Sequence, residues 1–190
     1  MGLDMYLERA PRYKKFNAAD VRNIEAYLSW KDSDNAKKYT LKEWCGVDEK
    51  LLPSDEVVKY YEQYYSTKYY YWDTEHNYGR DGIIEHVGYW RKANQIREWF
   101  CEHVGDIYNC AHVKVNEENL QKLMDDCITV LANHDKAKEL LPTAPGCFFG
   151  SYEYDEWYFD QLRDTVEMLE EVLYEKVDWD TEDVFYYEWW

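Results

Sequence analysis

Apolar residues recur at helical spacing through three long segments of the sequence, and this periodicity constrains the fold more than any other feature. The segments are Tyr89–Val104, the residues that follow Asn116, and Tyr154–Tyr174. An apolar stripe at this spacing predicts an amphipathic helix that buries one face. Two shorter helices are predicted from Ala18 to Trp30 and from Asp55 to about Tyr65, each beginning after a residue that can cap it.

Short segments with a β-strand pattern lie between these predicted helices. They are residues 2–7, 83–87, 112–115, 147–149 and 184–187. The last of them is predicted to pair with the first. The sequence therefore predicts a single α+β domain over residues 1–190, with a small antiparallel sheet packed with about four main helices.

The charge of the chain is concentrated in its last forty residues. Residues 151–190 contain fourteen acidic and two basic residues, so they carry −12 of the net charge of −17. A field with this direction attracts cationic surfaces and repels nucleic acid. We therefore expect a basic protein as the partner, and no direct binding of nucleic acid.

Five of these acidic residues follow the helical repeat of the segment Tyr154–Tyr174. They are Asp160, Asp164, Glu167, Glu171 and Glu175, at steps of four, three, four and four. This spacing places them on one helix face over ~22 Å, with neighbours ~5–6 Å apart, a scale comparable to the phosphates of a nucleic-acid strand. Two interpretations stay open: a solvated outer face, or a face that mimics nucleic acid or binds cations.

Aromatic residues in the same acidic region are candidates for anchoring a partner, because tyrosine and tryptophan contribute strongly to protein interfaces. The candidates are Trp157, Tyr187 and Trp189, together with Tyr152, Tyr186 and Trp190.

No phosphate loop, dinucleotide fingerprint, zinc-protease helix or nucleophile elbow is present, which favours a non-enzymatic protein without a cofactor. Cys101 with His103 and Cys110 with His112 do not supply a zinc site, since two ligands are too few. Both cysteines are expected to be buried and structural. A small metal-dependent nuclease stays an alternative, and its divalent metal would be held by Asp4, Glu153, Asp155 and Glu156.

Three basic residues lie in or near the predicted start of the helix Tyr89–Val104. Arg91, Lys92 and Arg97 are candidates for an anion-binding site, although bases in a first helical turn oppose the helix dipole. The competing interpretation is that they pair internally with the excess of acidic residues.

The five cysteines show no short paired spacing, and the first residues lack a signal peptide pattern. No run approaches the ~20 apolar residues of a membrane span. These features predict a cytoplasmic protein with reduced thiols and no membrane partner.

Three stretches of sequence together resemble a family of small bacteriophage and prophage proteins of unassigned function. They are MGLDMYL at the start, GYWRKANQIREWF at residues 88–100 and CFFGSYEYDEWYFDQL at residues 147–162. The resemblance extends over most of the chain outside residues 31–77, which look like a variable inserted lobe. It implies a cytoplasmic protein of an infected bacterium, similar in kind to anti-CRISPR inhibitors, several classes of which mimic nucleic acid.

The sequence and the resemblance together predict an acidic phage-type interaction protein that blocks a nucleic-acid-binding defence protein of the host. A type II CRISPR effector is the best single partner, since its guide and target channel is basic. The alternatives are the metal-dependent nuclease and a self-assembling structural phage protein. Nothing in the sequence specifies an oligomeric state.

Overall fold

The computed structural model describes residues 2–14, 21–65, 71–73, 78–81, 83–105, 107–146 and 149–190, with the backbone alone for 71–73 and 78–81. The predicted helix start at Ala18 and most of the predicted strand at 147–149 lie outside these ranges.

Six strands form one sheet in which every neighbouring pair is antiparallel. They are β1 (Asp4–Pro11), β2 (Tyr71–Asp73), β3 (Tyr78–Asp81), β4 (Ile84–Arg91), β5 (His112–Val115) and β6 (Glu182–Trp189), in the order β2-β3-β4-β1-β6-β5. The predicted α+β class with a small antiparallel sheet is confirmed, and so is the pairing of the last strand with the first.

Seven α-helices are present in the part of the chain that the structure describes. They are α1 (Val21–Lys31), α2 (Leu41–Cys45), α3 (Asp55–Glu62), α4 (Asn94–His103), α5 (Glu117–Ala132), α6 (Ala137–Leu140) and α7 (Glu156–Glu171). A π-helical turn, Val172–Lys176, extends α7. Short 3-10 turns cover Asp34–Lys37, Glu49–Leu51 and His134–Lys136.

The predicted helix Tyr89–Val104 is wrong in its first part, because β4 continues to Arg91 and α4 begins only at Asn94. Lys92, which lies between the two elements, has a left-handed backbone with φ of 57°. The helical spacing of apolar residues is misleading at Trp90, because this side chain points from the end of β4 into the same core as Phe100 of α4. A strand residue therefore completes an apparent helical stripe.

A different hydrophobic core packs on each face of the sheet. The larger core packs Met5, Leu7 and Val184 against apolar residues of α4, α5 and α7. On the opposite face, Ala10 and Phe185 pack with Val21, Ile24 and Leu28 of α1 and with Val57 and Tyr61 of α3. The segment 31–77 thus contributes α3 to the second core.

No helix among the residues described is long and apolar enough to cross a membrane.

Candidate functional site

The acidic row of α7 lies on the exposed side of this helix. Its five residues, Asp160, Asp164, Glu167, Glu171 and Glu175, are all exposed. The buried side consists of Tyr158, Phe159, Leu162, Thr165 and Leu169. Asp155 caps the helix by accepting a hydrogen bond from the backbone N–H of Tyr158 at 3.1 Å. The apolar stripe therefore determines which way the carboxylates point.

Basic residues neutralise only part of this row. Arg163, the one base of α7, contacts Asp160 and also Glu156, the latter at 2.9 Å. Lys176 pairs with Glu171 at 2.7 Å. The three remaining acids of the row form no salt bridge with any residue that the structure describes. They are Asp164, Glu167 and Glu175.

The C-terminal strand β6 uses its acidic residues inside the protein. Asp183 is buried and lies 2.7 Å from Arg12 and 2.8 Å from Lys114. Glu182 lies 3.3 Å from Arg9. Because bases from outside residues 151–190 compensate these acids, the outward field of the C-terminal region is weaker than its formal charge of −12 indicates.

Arg97, one of the three candidate anion-binding residues, has its anion within the same chain. Its guanidinium donates from Nε to Oε2 of Glu188 at 3.0 Å, and the Glu188 side chain is fully buried. Glu188 also accepts hydrogen bonds from the Tyr186 hydroxyl at 2.9 Å and from the Trp190 indole at 3.0 Å. The guanidinium group therefore anchors the end of β6.

The other two bases, Arg91 and Lys92, line an open groove of about 660 Å³ between the end of β4 and the first half of α7. Its other lining residues are Tyr89, Trp90, Trp157, Gln161 and Asp164. Gln161 fixes one wall by donating to the backbone carbonyl of Arg91 at 3.1 Å. The groove thus joins two residues predicted to bind a partner, Trp157 and Asp164, to two predicted to bind an anion.

A row of four aromatic rings crosses the sheet on the face opposite α7. Tyr89, Tyr6, Tyr187 and His112 lie directly opposite one another on β4, β1, β6 and β5. The ring centroids are 5.1 Å apart for Tyr6 and Tyr89, and 6.0 Å apart for Tyr6 and Tyr187. His112 stacks on Tyr187 at 4.4 Å. We call these four residues the ring row.

A buried carboxylate lies beside the ring row. Glu8 is fully buried, and its oxygens lie 2.8 Å from Nδ1 of His112, 3.2 Å from Nε2 of His86 and 2.8 Å from the guanidinium of Arg22. Burial by itself would raise the pKa of Glu8. The close contacts with the two histidines and the charge of Arg22 outweigh burial and hold this pKa well below its usual range.

The predicted aromatic anchors divide into exposed and buried residues. Trp157, Trp189, Trp190 and Tyr152 are exposed, and Tyr187 is half-buried in the ring row. The prediction for Tyr186 is wrong, because its ring is buried against Phe100 in the larger core. Since side chains alternate along a strand, Tyr187 faces outward next to a buried tyrosine.

Three of the four carboxylates of the nuclease alternative have other partners in the structure. The Tyr89 hydroxyl donates to Asp4, Asp155 caps α7, and Glu156 pairs with Arg163. No three histidine, cysteine or acidic side chains among the described residues, which include all four carboxylates, are placed to hold a metal ion.

The cysteine expectation is partly wrong, since Cys110 is exposed and Cys101 is only partly buried. Cys110 occupies a turn, with φ of 65°, and its backbone N–H donates to the Glu188 carbonyl at 2.9 Å.

The sequence pattern did not predict that one surface contains Tyr6, Glu8, His86 and Tyr89. Alternation along β1 was the available signal, since Tyr6 and Glu8 share the face opposite Met5 and Leu7. No signal within β4 alone could have placed His86 and Tyr89 beside them.

No protein-family profile, curated protein or solved structure matches the chain.

Proposed function

We propose that the chain is a non-enzymatic interaction protein that binds a basic surface of a protein partner through the exposed face of α7. The observation that carries this proposal is the row of five exposed carboxylates beside a groove that presents the exposed ring of Trp157. Three of the carboxylates form no salt bridge with a described residue, so an approaching cation need not displace an internal ion pair.

Charge and aromatic surface contribute differently to such a complex. Exposed carboxylates accelerate encounter with a cationic surface, and salt weakens this attraction over a Debye length of ~10 Å at 0.1 M. Trp157 offers the apolar contact area that charge alone lacks, and tryptophan is enriched among the residues that dominate binding energies. The groove beside it can receive a side chain of the partner.

The partner class we propose is a nucleic-acid-binding defence protein of a bacterial host, with a type II CRISPR effector as the most specific candidate. The basic channel of such an effector holds a nucleic-acid duplex through its backbone charge. A helix face whose neighbouring carboxylates are ~5–6 Å apart would compete for the same channel. The resemblance to phage proteins supports this choice, and the cytoplasm would be the site of action.

The direct test uses a purified type II effector loaded with guide RNA and measures its binding of target DNA in the presence of the chain. The first variant combines Asp160→Asn, Asp164→Asn, Glu167→Gln and Glu171→Gln. We expect wild type to inhibit with strong salt dependence, and the variant to associate at least roughly tenfold more slowly. Its melting temperature should be unchanged or slightly higher, because like-charge repulsion along the helix is relieved.

A matched control removes four exposed acidic side chains that are scattered outside α7. It combines Asp34→Asn, Glu102→Gln, Asp125→Asn and Glu139→Gln. Equal loss of inhibition in both variants would show that net charge matters and the α7 face does not. Absence of inhibition by wild type would exclude this effector as the partner, and inhibition that is insensitive to salt would contradict the electrostatic basis of the proposal.

A further inference from the structure

The ring row lies on a part of the sheet that neither hydrophobic core includes. The helices α1 and α3 pack over Ala10 and Phe185 at one end of this face. Toward the other end, the rings of Tyr6, Tyr89 and Tyr187 are only half-buried and belong to neither core. In the described part of this face, adjacent half-buried rings therefore occupy the area that no helix covers.

The three tyrosine rings of the row are inclined to one another, whereas His112 stacks on Tyr187 at 15° and covers one of its faces. The plane of Tyr6 makes angles of 46° with Tyr89, 35° with Tyr187 and 53° with His86. The tyrosine rings are half-buried, so a flat group can approach their outer, solvent-facing parts.

Carboxylates contribute to the electrostatic environment of the tyrosine hydroxyls. Burial raises the pKa of Tyr6, and the charges of Asp4 and Glu8 raise it further. Burial together with the hydrogen bond to Asp4 raises the pKa of Tyr89. The pKa of Tyr187 is raised to about 12 by burial and by Cys110, with a smaller contribution from Glu8. Asp4 or Glu8 thus acts on each hydroxyl, although Arg91 opposes this effect at Tyr6 and Tyr89 and Arg22 opposes it at Tyr187. With the exposed side chain of Arg91 displaced, a cation is the complementary ligand beside Asp4.

We propose that the ring row binds the guanidinium group of an arginine in a basic peptide. A flat guanidinium group stacks on tyrosine rings and can donate to a carboxylate in the same plane, which a lysine ammonium cannot reproduce. Asp4, at the end of β1 beside Tyr6 and Tyr89, supplies that carboxylate. Tyr89 and Arg91 also line the groove beside α7. The other rings of the row lie on the face of the sheet opposite α7, and the proposal does not depend on the function proposed for the acidic row.

Arg91 shows that a guanidinium group fits near Asp4. Its loose contact also shows how the guanidinium group of a ligand could take its place. Nε of Arg91 lies 3.7 Å from Oδ1 of Asp4, too far for a hydrogen bond, and 63% of the Arg91 side chain is exposed. A ligand arginine that donates directly to Asp4 would gain the contact that Arg91 leaves incomplete.

Single-stranded nucleic acid is the other ligand that rows of exposed rings accept, because bases stack on them. Charge argues against it in this protein. The chain carries a net charge of −17, and Asp4 and Glu8 lie beside the rings. Phosphate groups would therefore be repelled where guanidinium groups are attracted.

The experiment titrates the chain with acetyl-Arg-Arg-Arg-amide and follows tyrosine ring resonances by NMR, with acetyl-Lys-Lys-Lys-amide as the comparison peptide. We expect the arginine peptide to bind more tightly and to shift the resonances of Tyr6, Tyr89 and Tyr187. The double variant Tyr6→Leu with Tyr187→Leu should weaken binding roughly tenfold, since each ring contributes a cation–π contact. Asp4→Asn should weaken binding with all four rings retained, which gives a second test if the double variant does not fold.

The matched control is Tyr108→Leu with Tyr174→Leu, since both tyrosines are 67% exposed and lie outside the ring row. Equal weakening in this control, or unchanged binding in the ring variant, would refute the proposal. The α7 variant with four neutralised acids must still bind the arginine peptide, and loss of binding there would place the peptide on α7. Titration with oligothymidylate that shifts the same rings would show that the surface binds bases.

Discussion

The buried pair of Arg97 and Glu188 offers the sharpest test of how the structure uses its excess of acidic residues. The perturbation is Arg97→Met, which keeps most of the aliphatic volume beside Phe149 and removes the charge. Glu188 is fully buried, so the variant leaves its carboxylate without the cation that balances it. Breaking a buried ion pair from one side costs about 3–5 kcal/mol. For a chain of this size the melting temperature should fall by roughly 6–20 °C.

Thermal unfolding followed by circular dichroism measures this loss, and a second substitution separates charge from packing. Adding Glu188→Gln to Arg97→Met should restore much of the stability, because it removes the unpaired charge. The amide oxygen can accept from the Trp190 indole, and the amide NH2 can donate to the Tyr186 hydroxyl oxygen, at the two positions that the carboxylate oxygens occupy in wild type. Arg163→Met is the comparison, since its ion pairs lie on the surface of α7 and should leave the melting temperature unchanged. If Arg97→Met costs no more than Arg163→Met, the reasoning about internal compensation is wrong.

Three further predictions concern stability. Phe100→Ala should destabilise the chain by about 3–5 kcal/mol, because the ring is fully buried in the larger core, and chemical denaturation measures the loss. Glu8 has a lowered pKa in the folded state, so its contribution is present above the pKa of ~4.3 of an unfolded glutamate and is lost as the pH falls below it. Melting temperatures from pH 7 to pH 3 should therefore decline less steeply for Glu8→Gln than for wild type, and parallel curves would contradict this. Gly150→Ala should lower the free energy of unfolding by more than about 1 kcal/mol. The residue has φ of +105°, and the added Cβ would lie 2.5 Å from the Lys92 carbonyl oxygen. An unchanged denaturation midpoint would show that this strain is absent.

Local periodicity was sufficient to predict the long helices α5 and α7, and the pairing of β1 with β6 was expected from the closing position of the later strand. In α7, Tyr158, Leu162 and Leu169 lie on the predicted buried side. Such patterns succeed because each element buries a stripe that its own sequence specifies.

The end of β4 could not be predicted in the same way, because Trp90 belongs to a strand and packs with Phe100 of the following helix. The two residues share one core, so their spacing fits a continuous helix although the chain turns at Lys92 between them. Tertiary packing decided the boundary, and local spacing does not contain that information.

The two candidate surfaces also differ in whether local sequence spacing could predict them. The face of α7 follows from a repeat within one helix, whereas the ring row needs the register of four strands drawn from residues 6, 89, 112 and 187. Counting charges along the chain was misleading for a related reason. Asp183 and Glu188 are close in sequence to the exposed acids, but their partners Arg12, Lys114 and Arg97 come from distant segments.

The central position of β1 also has a consequence for the order in which the molecule can be assembled. One neighbour of β1 is β4, and the other is β6, which lies more than 170 residues further along the chain. During synthesis, the side of β1 that β6 will occupy stays without its partner until residues 182–189 have left the ribosome, and β5 has nowhere to attach before then. Pairing over such a separation is slow, and an unpaired strand edge invites association with other chains. The edge of β1 is therefore most open to association with other copies before β6 has been synthesised.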